Sequence, residues 1–192
     1  MKKGVNVEVE IDKVMLKMVQ KRLRDVPNKA PQAISSALNR ALTNVASNIS
    51  REVRQEYNIK AADIRATLSK TRASRANLTA IVKSRGNLIP LDRFKISPKT
   101  VNPKRKSPIR AGVKKDGMKS LGSAFVADIN GIKVFRRTTS KRLPIQRLFG
   151  PSVPQMLQNE EIREKINAEG EKTFYKRLDH EINRILDRGV SS

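Results

Sequence analysis

The chain has 192 residues, a length that suits one domain with an extension or a long arm; 38% hydrophobic residues, 4% aromatic residues and no Trp allow only a thin core of Leu, Ile, Val and Ala. Its 41 Lys and Arg against 18 Asp and Glu give a net charge of +23, which repels itself in a compact state and points first to nucleic acid as partner; a generally basic surface is the plain alternative. The absence of Cys excludes disulfides and Cys-based metal sites, no stretch approaches the roughly 18 apolar residues of a membrane span, and "MKKGVNVEVEIDKV" lacks the apolar run of a signal peptide.

The first element expected is a half-buried strand over 5–11, where Val5, Val7, Val9 and Ile11 alternate with Asn6, Glu8 and Glu10. Asp12 then caps a short helix with Val14, Met15, Met18, Val19 and Leu23 on one stripe, ending before Pro27. The clearest helix begins near Pro31 and runs to about Tyr57. Ile34, Ala37, Leu38, Ala41, Leu42, Val45, Ile49 and Val53 recur at three- and four-residue steps, opposite Asn39, Arg40, Asn44, Asn48, Arg51 and Arg54. A shorter helix follows over Lys60–Leu68, and "LTAIVKSRG" reads as a strand.

From about 87 to 119 the chain is rich in Pro, Lys and Arg, with Asp92 and Asp116 its only acids. It reads as a loop with one short strand near 109–114: either a solvated surface loop or an arm that orders on a polyanion or a neighbouring subunit. Asn130-Gly131 between two apolar runs predicts a two-residue type I′ hairpin, pairing Asp128 with Lys133, Ala127 with Val134 and Val126 with Phe135. The last element is a long helix, at about 154–188. Ile162, Ile166, Gly170, Phe174, Leu178 and Ile182 step by four, flanked by mixed charge. The fold class is therefore α+β: a small, mainly antiparallel sheet with a hairpin, packed on the long helix, plus a long C-terminal helix on the sheet or on a neighbour.

No catalytic constellation is present. His180 is the only histidine, and its neighbours Asp179 and Glu181 do not face it on a helix. There is no Walker loop and no G-x-S-x-G elbow, so neither an enzyme nor a cofactor is expected. The bases carry the chemistry. Lys104, Arg105, Lys106, Arg136, Arg137, Lys141, Arg142 and Arg147 are the candidate contacts to DNA or to an acidic partner. They would attract phosphates without reading bases, in a salt-dependent way. Few aromatics mean no stacking platform for single strands.

One further motif is "KVFRRTTSKRLPIQRLFGPSVPQML", residues 133–157. Its strand ending in Phe135 and Arg136, the Arg142-Leu143-Pro144-Ile145 step and the Gly150-Pro151-Ser152-Val153-Pro154 turn resemble the minor tail protein Z family of lambda-like phages and prophages. The likeness extends from roughly Ala33 to Leu186. It implies a single tail-completion domain in a structural virion protein. The place implied is the head-proximal end of the tail, as a ring, commonly six-fold. Its implied neighbours are tail-tube, terminator or head-connector proteins and the DNA end. The alternative is a stand-alone non-specific nucleic-acid-binding protein of ribosomal or chromatin type.

Physically the motif reads as a rigid connector. Pro144 and Pro151 restrict the residues before them, and Gly150 allows backbone angles that others resist. Ser152 caps the next helix with Pro154 in its first turn. Leu143, Ile145, Leu148 and Phe149 supply apolar anchors.

Overall fold

The computed structural model describes residues 5–10, 13–24 and 26–190. Ile11 and Asp12, expected to end the first strand and cap the first helix, lie outside them. In chain order the elements are β1 (Val5–Glu10), α1 (Lys13–Arg22), a 3-10 turn at Pro27–Lys29, α2 (Ala30–Glu56), α3 (Ala61–Arg65), β2 (Leu68–Thr71) and β3 (Thr79–Ser84). Then come β4 (Ile89–Pro90), a 3-10 turn at Leu91–Arg93, β5 (Lys95–Ser97), β6 (Ile109–Gly112), β7 (Lys119–Leu121), β8 (Ala124–Asp128) and β9 (Ile132–Arg137). Last are β10 (Ile145–Arg147), β11 (Phe149–Gly150), α4 (Val153–Met156) and α5 (Glu160–Val190). The α+β expectation is met.

Two long helices form the spine. The apolar residues of α2 are buried along its whole length, and Ile162, Ile166, Phe174, Leu178 and Ile182 of α5 are buried too. Asn159, just before α5, donates to Glu56 at 3.2 Å, and Gly170 lies against Val45. The two helices therefore run antiparallel. A Cβ added at Gly170 would stand 2.7 Å from Val45 Cγ2. This close approach explains a glycine in mid-helix, where it otherwise costs about 1 kcal/mol. The terminal helix thus packs on α2, where the sheet or a neighbour was expected.

The other flank of α2 carries the antiparallel sheet β1-β3-β2. Ala80 and Val82 of β3 are buried there, and Asn39 of α2 exchanges two hydrogen bonds with the backbone of Ala73, at 2.9 and 3.0 Å. The helix expected over Lys60–Leu68 stops at Arg65, because Leu68 already pairs with Ser84 in β2. Two helix faces also differ from expectation. Val14 and Met18 of α1 are exposed while Val19 and Leu23 are buried. Asn48, placed on the polar face of α2, is buried and donates to Asn44 Oδ1 at 2.7 Å.

Residues 87–119 hold more strand than the one near 109–114. They contribute β4, β5, β6 and the start of β7, and β5-β6-β7 is an antiparallel sheet anchored by buried Phe94, Ile96, Ile109 and Ala111. Residues 98–108 lie outside any strand. The third sheet, β10-β9-β8, contains the predicted hairpin shifted by one residue: Val126 faces Val134, Ala127 faces Lys133 and Asp128 faces Ile132. The loop is Ile129-Asn130-Gly131, with Asn130 and Gly131 at positive φ (52° and 98°). Asp128 Oδ1 accepts from Gly131 N at 3.0 Å, and this side-chain bond closes the longer loop. The slip matters because pairing by one residue more or less exchanges the faces of a strand.

Candidate nucleic-acid interface

Charge is unevenly spread. Residues 57–159, the β-rich stretch, contain 23 Lys and Arg against four Asp and no Glu. Those few acids are largely taken up inside the stretch. Asp63 pairs with Arg93 at 2.9 Å, Asp92 accepts from Arg147 at 2.9 and 3.1 Å, and Asp128 closes the hairpin. Most of the remaining bases therefore have no carboxylate partner within the stretch, although Arg105, Arg110 and Lys133 donate to backbone carbonyls.

Three of the eight candidate contacts converge. Arg105, Lys106 and Arg137 line one cleft of ≈ 740 Å³ between the 98–108 loop and the β8–β9 hairpin, and no acid lines it. The loop is held in shape from within: Arg105 Nη2 donates to Thr100 O and Oγ1 at 2.9 and 3.0 Å, and Asn102 Oδ1 accepts from Lys104 N at 3.0 Å. Across the cleft the Arg137 guanidinium sits 5.4 Å from the centre of the Phe125 ring, and Phe125 lies 6.1 Å from Phe135. Stacking of this kind orients a guanidinium while leaving its edge free for phosphate oxygens. Ser107, Ser123, Thr139 and Ser140 add hydroxyls to the same walls.

The other five candidates sit elsewhere. Lys104 is exposed beside Arg105 but does not line the cleft. Lys141 and Arg142 are exposed in the loop between β9 and β10. Arg136 points to the opposite face of β9 from Arg137. There it borders a largely apolar cleft of ≈ 890 Å³ with Tyr57, Leu88 and Phe149. Arg147 is engaged by Asp92 and lies 5.8 Å from the Phe149 ring, so it serves the fold from a half-buried position. Phe125 and the hydroxyls were not anticipated. The one-residue hairpin shift hid Phe125, because only the true register brings it diagonal to Arg137 on one face.

The connector behind these bases is well ordered by its own chemistry. Thr138 donates through both N and Oγ1 to Pro144 O, at 3.2 and 3.1 Å, closing the β9–β10 loop. Ser152 and Gln155 form a reciprocal capping box at the start of α4, with Pro154 in its first turn. Gly150 has no left-handed φ. Its side chain is missing for another reason: a Cβ there would fall 2.6 Å from the Phe94 ring. Two expected anchors, Leu143 and Phe149, are instead 64% and 48% exposed, while Leu148 packs on the core.

The family described as prophage minor tail protein Z (GPZ) matches residues 7–191. The chain belongs to that family. Nearly the whole chain is covered, including the Arg142–Pro154 connector, so this minor tail protein is a structural component of a phage tail. No curated protein and no solved structure matches it. Among the described residues no helix is long and apolar enough to cross a membrane.

One tyrosine joins the two halves of this tail protein. Tyr57 closes α2, bridges to Lys114 and lies under its ammonium at 5.9 Å. Burial pushes its hydroxyl above the ordinary 10.0; Lys114 pulls it back and Glu56 adds to the rise. Next to it Asn58 donates to the carbonyls of Gly112 and Lys114 at 3.0 and 2.9 Å, and Lys115 N donates to Glu56 O at 2.7 Å. The corner is sewn to the chain segment after β6.

Proposed function

We propose that this minor tail protein is a tail-completion subunit at the head-proximal end of the tail, that its copies form a ring, and that its basic cleft contacts the DNA backbone. The observation carrying the DNA contact is the convergence of Arg105, Lys106 and Arg137, far apart in sequence, on one acid-free cleft. Family membership supports the tail location. Ring formation is supported by charge. Residues 160–190 hold eight Asp and Glu against seven Lys and Arg, so the exposed side of α5 offers a surface on which copies of a +23 chain can meet without strong repulsion.

Electron microscopy of the purified protein with tail tubes tests the location: rings bound at one tube end are expected, and a monomer that coats DNA instead would mean the stand-alone binder. The cleft is tested by Arg105→Gln/Lys106→Gln/Arg137→Gln. Rings should persist, DNA retention should fall, and the slope of log affinity against log salt should flatten by about 3. Loss of rings in that variant would make the cleft a subunit interface.

A further inference from the structure

A second basic cleft shares no residue with the first. Ser47, Ser50, Arg51 and Arg54 follow at three- and four-residue steps and so lie on one side of α2. The end of α3 brings Arg65 and β2 brings Lys70 against that side, and together they line a cleft of ≈ 630 Å³.

Its charge is one-sided. Four cations and no acid line it. Buried Glu52 grips Arg51 through Nε at 2.8 Å, which fixes that guanidinium with both Nη groups outside the bond. Arg54, Arg65 and Lys70 are exposed. On α5, by contrast, acids stand among the bases. Cations lining one cleft repel one another and gather anions from solution, and release of the counterions of a phosphate backbone then favours binding. Ala46, Ser47, Ser50 and Ala61 are small, so a backbone can come near the helix. A lysine on an edge strand also discourages strand pairing, which accounts for Lys70 in β2 but not for Arg54 or Arg65.

We propose that the cleft between α2 and α3–β2 is a second site for the phosphodiester backbone of nucleic acid, so that one subunit holds DNA at two places. This rests on the reading that the protein binds DNA. Free inorganic phosphate shares the chemistry, and the test separates the two.

The experiment is fluorescence anisotropy of a labelled duplex oligonucleotide with the full chain over a salt series. For Arg54→Gln/Arg65→Gln/Lys70→Gln the slope of log affinity against log salt should flatten by about 3, one for each phosphate that the variant no longer neutralises. Arg54→Lys/Arg65→Lys, which keeps the charge, should retain the parental slope. Inorganic phosphate at matched ionic strength should leave duplex binding within about twofold, as expected when simple ions act through screening alone. An unchanged slope in the triple Gln variant, with a flattened slope in the Arg105/Lys106/Arg137 variant, would remove the second site and leave the first. Specific competition by inorganic phosphate would make this a free-phosphate site and overturn the proposal. No binding by the parent at the lowest salt would overturn the DNA reading itself.

Discussion

The α2–α5 pair and the β-rich stretch 57–159 treat charge in opposite ways. Residues 30–56 and 160–190 together hold ten Lys and Arg and ten Asp and Glu, whereas 57–159 holds 23 against four. The helices bury long apolar stripes against each other, with Gly170 admitting Val45. The β-rich stretch is made of short strands whose buried residues, such as Val82, Phe94, Ile109 and Val134, join the same core, and it carries most of the cations. The helix pair therefore supplies the longest buried stripes, and the β-rich stretch holds most of the net charge. The corner at Glu56–Asn58 ties them together, so the charged part can be aimed by the neutral one.

Three substitutions can break or sharpen that contrast. The largest effect is expected in the helix pair. Ile166→Ala empties a fully buried position on the α5 seam and should cost about 2–5 kcal/mol in a denaturant titration. A loss under about 1 kcal/mol would show that the seam is not where cohesion resides. Asp92→Asn comes next. It removes the charge that holds half-buried Arg147, whose Nε already lacks a partner. A loss of about 1–3 kcal/mol is expected, against a change within about 0.5 kcal/mol for exposed bases such as Lys141. Equal effects would erase the distinction between structural and presented cations.

The smallest effect belongs to the corner. The folded state raises the Tyr57 pKa, so folding disfavours its ionised form. Its contribution to stability is complete below the unfolded value of about 10 and is lost as pH rises through the higher folded value. Stability should decline above pH ~10, and Tyr57→Phe should flatten that decline while changing little at about pH 7. An identical alkaline decline in the variant would assign it to other groups.

Long elements were legible because periodicity accumulates. Eight apolar positions along α2 leave little choice of face, and the step-of-four stripe of α5 marks its partner side. The Ser152 cap and Pro154 were legible because capping is local chemistry. Short strands were not. β4, β5 and β7 have two or three residues each, too few for a period-2 signal. The Asn-Gly turn drew the hairpin to a two-residue loop, but the Asp128 carboxylate closes a three-residue one. That choice of one residue decided whether Phe125 stands beside Arg137.

By itself the sequence determined the charge, the two helical stripes, the connector and the family likeness, since each depends on residues near one another in the chain. Tertiary structure alone decided which cations share a cleft. Arg105 and Arg137 share a cleft because a loop folds onto a hairpin, Arg54 and Lys70 share another because β2 pairs with β3 on the flank of α2, and Arg147 is withdrawn by Asp92 from 55 residues away. Electrostatic neighbourhoods form through space, and composition is silent about distance.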